Sequence, residues 1–405
     1  MKNSDLPSIH DSVDPVVDSF FPALKDTVHA CAAVFGVMAL ADRTRCMSLI
    51  LEGGSGSGKT TVANMFLPTA DSALVEYVYR SDKFTPKSFV THAGNKRKTE
   101  LGQMDLLPKI EGKVLVTKEL APLFRGREHE MQDNFSMLIS VLDGKGFVSD
   151  SGMQGQRGYD RDILFNWIGA TTPLGPKVHR LMSQLGTRLL FYEVPMVPPT
   201  EEQLVDFLRR SVPSDGEVTC KSAVNAFLEN FFDTHPVSSV RMQEIRFPEP
   251  LRRRVAQVAR FLAHARAEVK SDKGDGTNWL PIAAMQPEGI YKVADALKEL
   301  AFGHALICGR TAMDASDLKL IEDVAISSIP GDLRPIIRKL RVQQKVDTAT
   351  VMKACNVSPP TARTYMEKVM LLGIATGSKG RPATNSQTSI TLAPDYDWLR
   401  RDLEI

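Results

Sequence analysis

The segment Gly53-Gly54-Ser55-Gly56-Ser57-Gly58-Lys59-Thr60 constrains this chain more than any other stretch. It fits GxxxxGK[ST] in full. A short apolar run, Met47 to Leu51, leads into it, and the residues from Lys59 to Phe66 predict a helix that Pro68 stops. Glycines let the backbone fold into a nest of N–H donors aimed at one anion. The helix that follows adds its positive end. A flexible glycine linker explains neither the Gly-Lys-Thr ending nor the flanking strand. The anion such a loop suits is a phosphate chain. Lys59 supplies a mobile charge for the outer phosphates and Thr60 a hydroxyl for Mg²⁺. Gly53, Gly54, Ser55, Gly56, Ser57, Gly58, Lys59, Thr60 and Thr61 are therefore the expected contacts for ATP, with Mg²⁺ as its companion.

Phosphate chemistry needs an acid at the end of a neighbouring strand. Val114-Leu115-Val116-Thr117-Lys118-Glu119 offers Glu119, as metal-shell acid or as catalytic base, with Glu128, Glu130 and Asp143 as alternatives for the base. A second apolar strand, ending in Ala170-Thr171-Thr172-Pro173, puts Thr171 and Thr172 forward as γ-phosphate sensors, Thr172 first. In Leu185-Gly186-Thr187-Arg188-Leu189-Leu190-Phe191, Arg188 stands directly before an apolar strand. From there it can reach a neighbouring subunit's nucleotide or form a local ion pair. The catalytic set is Lys59, Glu119, Thr172 and Arg188, with Thr60 and Glu119 toward the metal.

Strand patterns at 47–51, 73–79, 113–117, 163–170 and 189–194 alternate with helical ones at 59–66 and 128–142. Strands that are continuous apolar runs indicate an α/β fold with a mainly parallel sheet and helices on both faces. Four segments follow: an N-terminal helical piece over 1–45, the sheet-bearing core over 46–200, a region over 201–331 that reads as helical throughout, and a small module over 332–405. Residues 146–160 alternate like a hairpin.

Charge matters by position. The chain has 405 residues and a net charge of only +2, yet 332–405 holds 12 basic against 7 acidic residues. A polyanion would be held there. Five cysteines, Cys31, Cys46, Cys220, Cys308 and Cys355, form no CxxC pair, and the eight histidines show no HExxH spacing and no partner cysteines. Neither a disulfide frame nor a zinc cage is expected, and a reducing, cytoplasmic setting fits. The most apolar stretch, Ala30 to Ala41, is too short to span a bilayer, so no membrane partner is expected.

The loop, strands and Arg188 together resemble the AAA+ P-loop ATPases, more narrowly the minichromosome maintenance (MCM) helicases and MCM-like ATPases of phages and mobile elements. The resemblance implies a helical lid and a C-terminal winged helix beside the ATPase core. It sets the arginine of "LGTRLLFYEV" where those proteins carry a finger arginine. It sets the 146–160 hairpin in a central pore, with Lys145 and Arg157 toward DNA. "EPLRRRVAQVARFLAHAR" resembles the first lid helix. "KVADALKELAFGHA" resembles the helix that begins with a second sensor arginine, here Lys292, a point charge without the bidentate fork. Two features depart from the family: the acidic strand end lacks the DE pair, and only about 45 residues precede the ATPase block.

At the C-terminus, Asp347 or Thr348 caps a helix reaching Cys355, and Asn356-Val357 make a turn. Ser358 caps a second helix with Pro359 at its first position. Ala362, Met366, Val369 and Met370 form its inner face; Thr361, Arg363, Thr364 and Lys368 lie outward. This is a helix-turn-helix pattern, and Lys379 and Arg381 sit in a loop that reads as a wing. Arg363, Lys368, Lys379 and Arg381 are the candidate DNA contacts; a module used for protein contacts is the alternative. The expected function is an ATP-dependent DNA motor or replication-initiation ATPase working as a homo-oligomeric ring, a hexamer being one form. The alternative is an ATP-switched DNA- or protein-binding assembly factor or regulator with slow or no hydrolysis.

Overall fold

In the computed structural model the described residues are 6–92, 98–124, 127–151, 155–175, 178, 186–196, 198, 200–209, 215–272, 280–378 and 389–400. They fall into two compact units: one built from 1–174, 188–248 and 298–320, the other from 175–187, 249–297 and 321–405.

The strands of the first unit are Met47–Glu52 (β1), Val78–Arg80 (β2), Val114–Thr117 (β3), Phe147–Ser151 (β4), Gly155–Tyr159 (β5), Asn166–Thr171 (β6) and Leu190–Glu193 (β7). Five form one sheet in the order β2-β3-β6-β1-β7, with every pairing parallel. β1 is buried along its whole length, as are β3 and β6. That burial explains their unbroken apolar character: a parallel strand is covered on both faces. β4 and β5 form the expected antiparallel hairpin.

Helices flank this sheet: Ile9–Ser12 (α1), Asp14–Phe20 (α2), Lys25–Met38 (α3), Lys59–Met65 (α4), Lys98–Met104 (α5), Leu107–Ile110 (α6), Glu128–Leu142 (α7), Glu201–Arg209 (α8) and Asp215–Thr234 (α9). Every residue of α3 from Thr27 to Met38 is buried. It is a core helix, apolar all round, which accounts for the Ala30–Ala41 run. Asn166, at the start of β6, ties three elements together: Oδ1 accepts from Arg43 Nη1 (2.8 Å) and Met47 N (3.2 Å), and Nδ2 donates to Val34 O (2.7 Å).

The second unit carries Glu249–Ala265 (α10), Val269–Asp272 (β8), Leu280–Ala284 (β9), Arg334–Val342 (α13), Val346–Asp347 (β10), Thr348–Cys355 (α14), Pro359–Leu371 (α15), Ala375–Ser378 (β11) and Ser389–Leu392 (β12). Ile290–Ile307 (α11) and Ala315–Ser327 (α12) each pass from one unit to the other along the chain. β10, β12 and β11 make a three-stranded antiparallel sheet beside α14 and α15. Asp347 caps α14 by accepting from Thr350 N at 2.8 Å, and Asn356 turns the chain in a left-handed conformation. Ala362, Met366 and Val369 are buried; Met370 is half-buried.

Three local expectations change. Residues 73–79 are not one strand: Ala73–Glu76 is a 3₁₀ turn, because the Ser72 hydroxyl accepts from Leu74 N and competes with sheet pairing. Residues 200–331 are not helical throughout. α10 stops at Ala265 and the antiparallel β8–β9 hairpin follows, its register shifting beside Pro281, which has no N–H for a ladder. Ser358 sits at the N-cap of α15 but makes no side-chain cap bond; its hydroxyl meets Thr361 Oγ1 at 3.0 Å.

Candidate nucleotide site

The C-terminal ends of β1, β6 and β7 lie level, with Glu52 in register with Thr171 on one side and Glu193 on the other. Parallel α/β sheets bind ligands at this edge, where the connections diverge. The divergence is present here: β1 lies between β6 and β7, while the next strand, β2, is at the far side of the sheet. Residues 53–58 fill that edge. Gly53 N donates to Thr171 O at 3.3 Å, so the loop begins against the expected sensor strand. Gly56 and Gly58 have φ of +79° and +88°, and a Cβ on Gly58 would stand 2.7 Å from Leu24 Cδ1. Glycine is required there by conformation and by space. Ser55 and Gly56 are exposed, Gly54 is half-buried, and Gly53 and Ser57 are buried.

Lys59 opens α4 and turns back over the loop. Its Nζ donates to Gly53 O and Gly54 O, both at 2.6 Å, and to Ser57 Oγ at 3.3 Å. Burial lowers the Lys59 pKa, while the charge of Glu119 opposes that shift. Glu119 follows β3, is exposed, and accepts from Ala121 N through Oε1 at 2.7 Å. The Thr60 side chain is exposed. Thr61 faces elsewhere: its hydroxyl donates to Glu217 on α9 at 2.8 Å. Thr171 donates to Thr172 O at 3.1 Å, and Thr172 is half-buried beside it. A glycine-bearing loop with left-handed turns at Gly56 and Gly58, one ammonium and one exposed hydroxyl fit a phosphate chain and an accompanying Mg²⁺, with Lys59 and Thr60 as the groups that would hold them.

Arg188 makes a two-pronged ion pair with Asp143, Nε to Oδ1 and Nη2 to Oδ2, each 2.8 Å, and its side chain is 20% exposed. Asp143, an alternative base, is thereby engaged. Glu130 accepts from Arg127 N at the start of α7, and the Glu128 side chain lies outside the described residues. Lys292 belongs to the second unit, exposed in the first turn of α11.

Of the expected DNA contacts, Lys145 is exposed and paired with Asp162 at 3.0 Å. Arg157 is a correction. Its side chain is buried, bound to Asp105 Oδ2 at 3.0 Å and to Thr91 O, so it fastens the hairpin to the body instead of facing outward. Arg363 is exposed on α15. Lys368 is held by Asp332 at 2.9 Å and lies over the Tyr365 ring, so it is not a free outward cation. Lys379 and Arg381 lie outside the described residues.

Three groups were not anticipated from sequence. Buried Glu52, directly before the glycines, accepts from Leu174 N at 2.8 Å and links β1 to the chain leaving β6. Buried Asp105 gathers Arg157, Tyr159 and Thr91 N. The expectation of histidines without partner cysteines is overturned: Cys308 Sγ is 3.7 Å from His304 Nε2. The four-residue spacing of that pair on one helix was a readable signal. No protein-family model matches the chain, and no curated protein matches it. Among the described residues no helix is long and apolar enough to cross a membrane.

Proposed function

We infer that the chain is a Mg²⁺-dependent ATPase of AAA+ type, related in organisation to the MCM-like ATPases. The observation that carries this reading is the Lys59 ammonium, seated at 2.6 Å from two carbonyls of a loop in which Gly56 and Gly58 adopt left-handed conformations, at the C-terminal edge of a parallel sheet. In the proposal Lys59 transfers from those carbonyls to the outer phosphates and Thr60 ligates Mg²⁺. Glu119 polarises water or the metal, and Thr172 reads the γ-phosphate. Arg188 leaves Asp143 to serve a neighbouring subunit's nucleotide in a homo-oligomeric ring, and Lys292 closes a helical lid. α14 and α15, with the strands after them, act as a winged helix that brings Arg363 to DNA. Hydrolysis then drives DNA translocation, remodelling or replication initiation in the cytoplasm.

A second reading is a nucleotide switch with slow turnover. It is favoured by the engagement of Glu119 with Ala121 N and of Arg188 with Asp143. Titrating the purified chain with Mg-ATP, then measuring phosphate release with and without single- and double-stranded DNA, separates the two. DNA-stimulated turnover supports the motor. Binding without turnover supports the switch. No binding of Mg-ATP overturns both.

A further inference from the structure

A second buried cluster lies in the first unit. α3 and α11 cross with their backbones in contact: a Cβ on Gly36 would stand 2.1 Å from Gly303 O, and one on Gly303 would stand 2.4 Å from Ala33 O. One turn from that crossing His29 meets His304, Nδ1 to Nε2, at 3.1 Å. The outer nitrogens of both rings are engaged. His29 Nε2 lies 2.7 Å from Asp14 Oδ1, and His304 Nδ1 lies 2.6 Å from Asp317 Oδ1. An ionised carboxylate only accepts, so each ring places its N–H on the outer nitrogen and turns a bare lone pair inward. Two lone pairs that face each other at 3.1 Å need a cation between them.

The choice is between a shared proton and a metal ion, and Cys308 decides it. It lies one turn beyond His304 on α11, with Sγ 3.7 Å from Nε2. The two ring nitrogens and this sulfur all lie within 4.8 Å of one another, and all three residues are buried. Tetrahedral Zn²⁺, with bonds of about 2.05 Å to nitrogen and about 2.3 Å to sulfur, sets its N···N edge at about 3.3 Å and its N···S edge at about 3.6 Å. The observed 3.1 and 3.7 Å match two of these edges, and the third pair, His29 Nδ1 and Cys308 Sγ, lies within 4.8 Å. We propose that His29 Nδ1, His304 Nε2 and Cys308 Sγ bind Zn²⁺, with Asp14 and Asp317 orienting the two imidazoles.

On binding, the Cys308 S–H bond breaks and its proton passes to solvent, while sulfur and the two nitrogens donate lone pairs to the metal. Nothing is oxidised or reduced. Zn²⁺ and one thiolate leave a single positive charge. Asp14 and Asp317 supply two negative charges, and Arg310, at 2.7 Å from Asp317 Oδ2 and 3.0 Å from the part-exposed Asp314, adds a positive one beside them. A carboxylate on the far nitrogen of a metal-bound histidine fixes its tautomer and raises its basicity. The three protein donors leave the fourth position to water. Exposed His10, 2.8 Å from Asp14 Oδ2, marks the side nearest solvent. The bound ion pins α3 to α11 beside the crossing glycines.

The test uses the full chain, purified without a histidine tag and stripped of metal, with Zn²⁺ and Co²⁺ as probes. Stoichiometric Zn²⁺ uptake is expected. So is a thiolate-to-Co²⁺ charge-transfer band with the visible spectrum of a four-coordinate centre. Cys308→Ser abolishes the charge-transfer band, while Cys46→Ser, at a buried cysteine elsewhere, keeps it. Asp14→Asn weakens Zn²⁺ binding about 10- to 100-fold. Circular dichroism establishes that each variant is folded. No stoichiometric uptake by the folded parent overturns the proposal, as does a charge-transfer band that survives Cys308→Ser. So does a proton shared by His29 and His304, seen in ¹⁵N spectra with Zn²⁺ in excess.

Discussion

Lys59→Ala isolates the group on which the nucleotide reading depends. In the free protein its ammonium donates to Gly53 O and Gly54 O at 2.6 Å, half-buried in a loop whose other polar groups are neutral. Transfer to a phosphate exchanges two ion–carbonyl bonds for charge-assisted bonds to an anion. The gain is therefore the difference between the two arrangements, of the order of one charged hydrogen bond, about 1.5–3 kcal/mol. At about 1.4 kcal/mol per factor of ten, Mg-ATP should bind the variant about 12- to 140-fold more weakly. The fold should persist, because among the described residues the hydrogen bonds of this side chain stay within 53–57. Isothermal titration of parent and variant with Mg-ATP measures the ratio, and far-ultraviolet circular dichroism monitors the fold. A folded variant that binds within about twofold of the parent refutes the reasoning, since an ammonium at the phosphate chain cannot contribute so little.

Other outcomes follow from the same structure. Asn166→Ala removes three hydrogen bonds and strands the buried Arg43 guanidinium, so urea unfolding should show a loss of about 3–5 kcal/mol. Arg188→Ala should leave Mg-ATP affinity unchanged and lower turnover by at least about tenfold if this side chain stabilises charge on a neighbour's nucleotide; unchanged turnover assigns the Arg188–Asp143 pair to structure alone. Asp347 is held below its ordinary pKa of 3.8 by the hydrogen bond from Thr350 N. Its folded value is the lower one, so its contribution is full above the unfolded value and disappears as pH falls through the folded value. Acid titration of the thermal midpoint should therefore lose a component in Asp347→Ala, with about 1 kcal/mol lost at neutral pH.

The loop and its flanks were legible because their signals are local. The apolar run of β1, the glycines and the Pro68 stop bracket the loop and α4 within a residue or two. The parallel sheet followed from strands apolar on both faces, and the β4–β5 hairpin from alternation. β2 was misplaced because one serine hydroxyl redirected the backbone before it. The β8–β9 hairpin was hidden because its partners are short and interrupted by proline. Arg157 read as a surface cation because its partner, Asp105, is 52 residues away. His29 and His304 are 275 residues apart, and only the close crossing of two helices at glycine brings them together.

The clamp at Asn166 has a consequence for the accuracy of the site. A strand with oily side chains above and below gains almost as much from being buried one step out of place as in place, so burial alone sets β1 poorly along its neighbours. One amide that demands a guanidinium, a main-chain N–H and a helix carbonyl at once has a single solution. A one-step slip would carry the glycine turn about 3.3 Å along the sheet and swing Glu52 to the opposite face. The polar contact at the root of the strand thus acts as a ruler for chemistry performed at its tip.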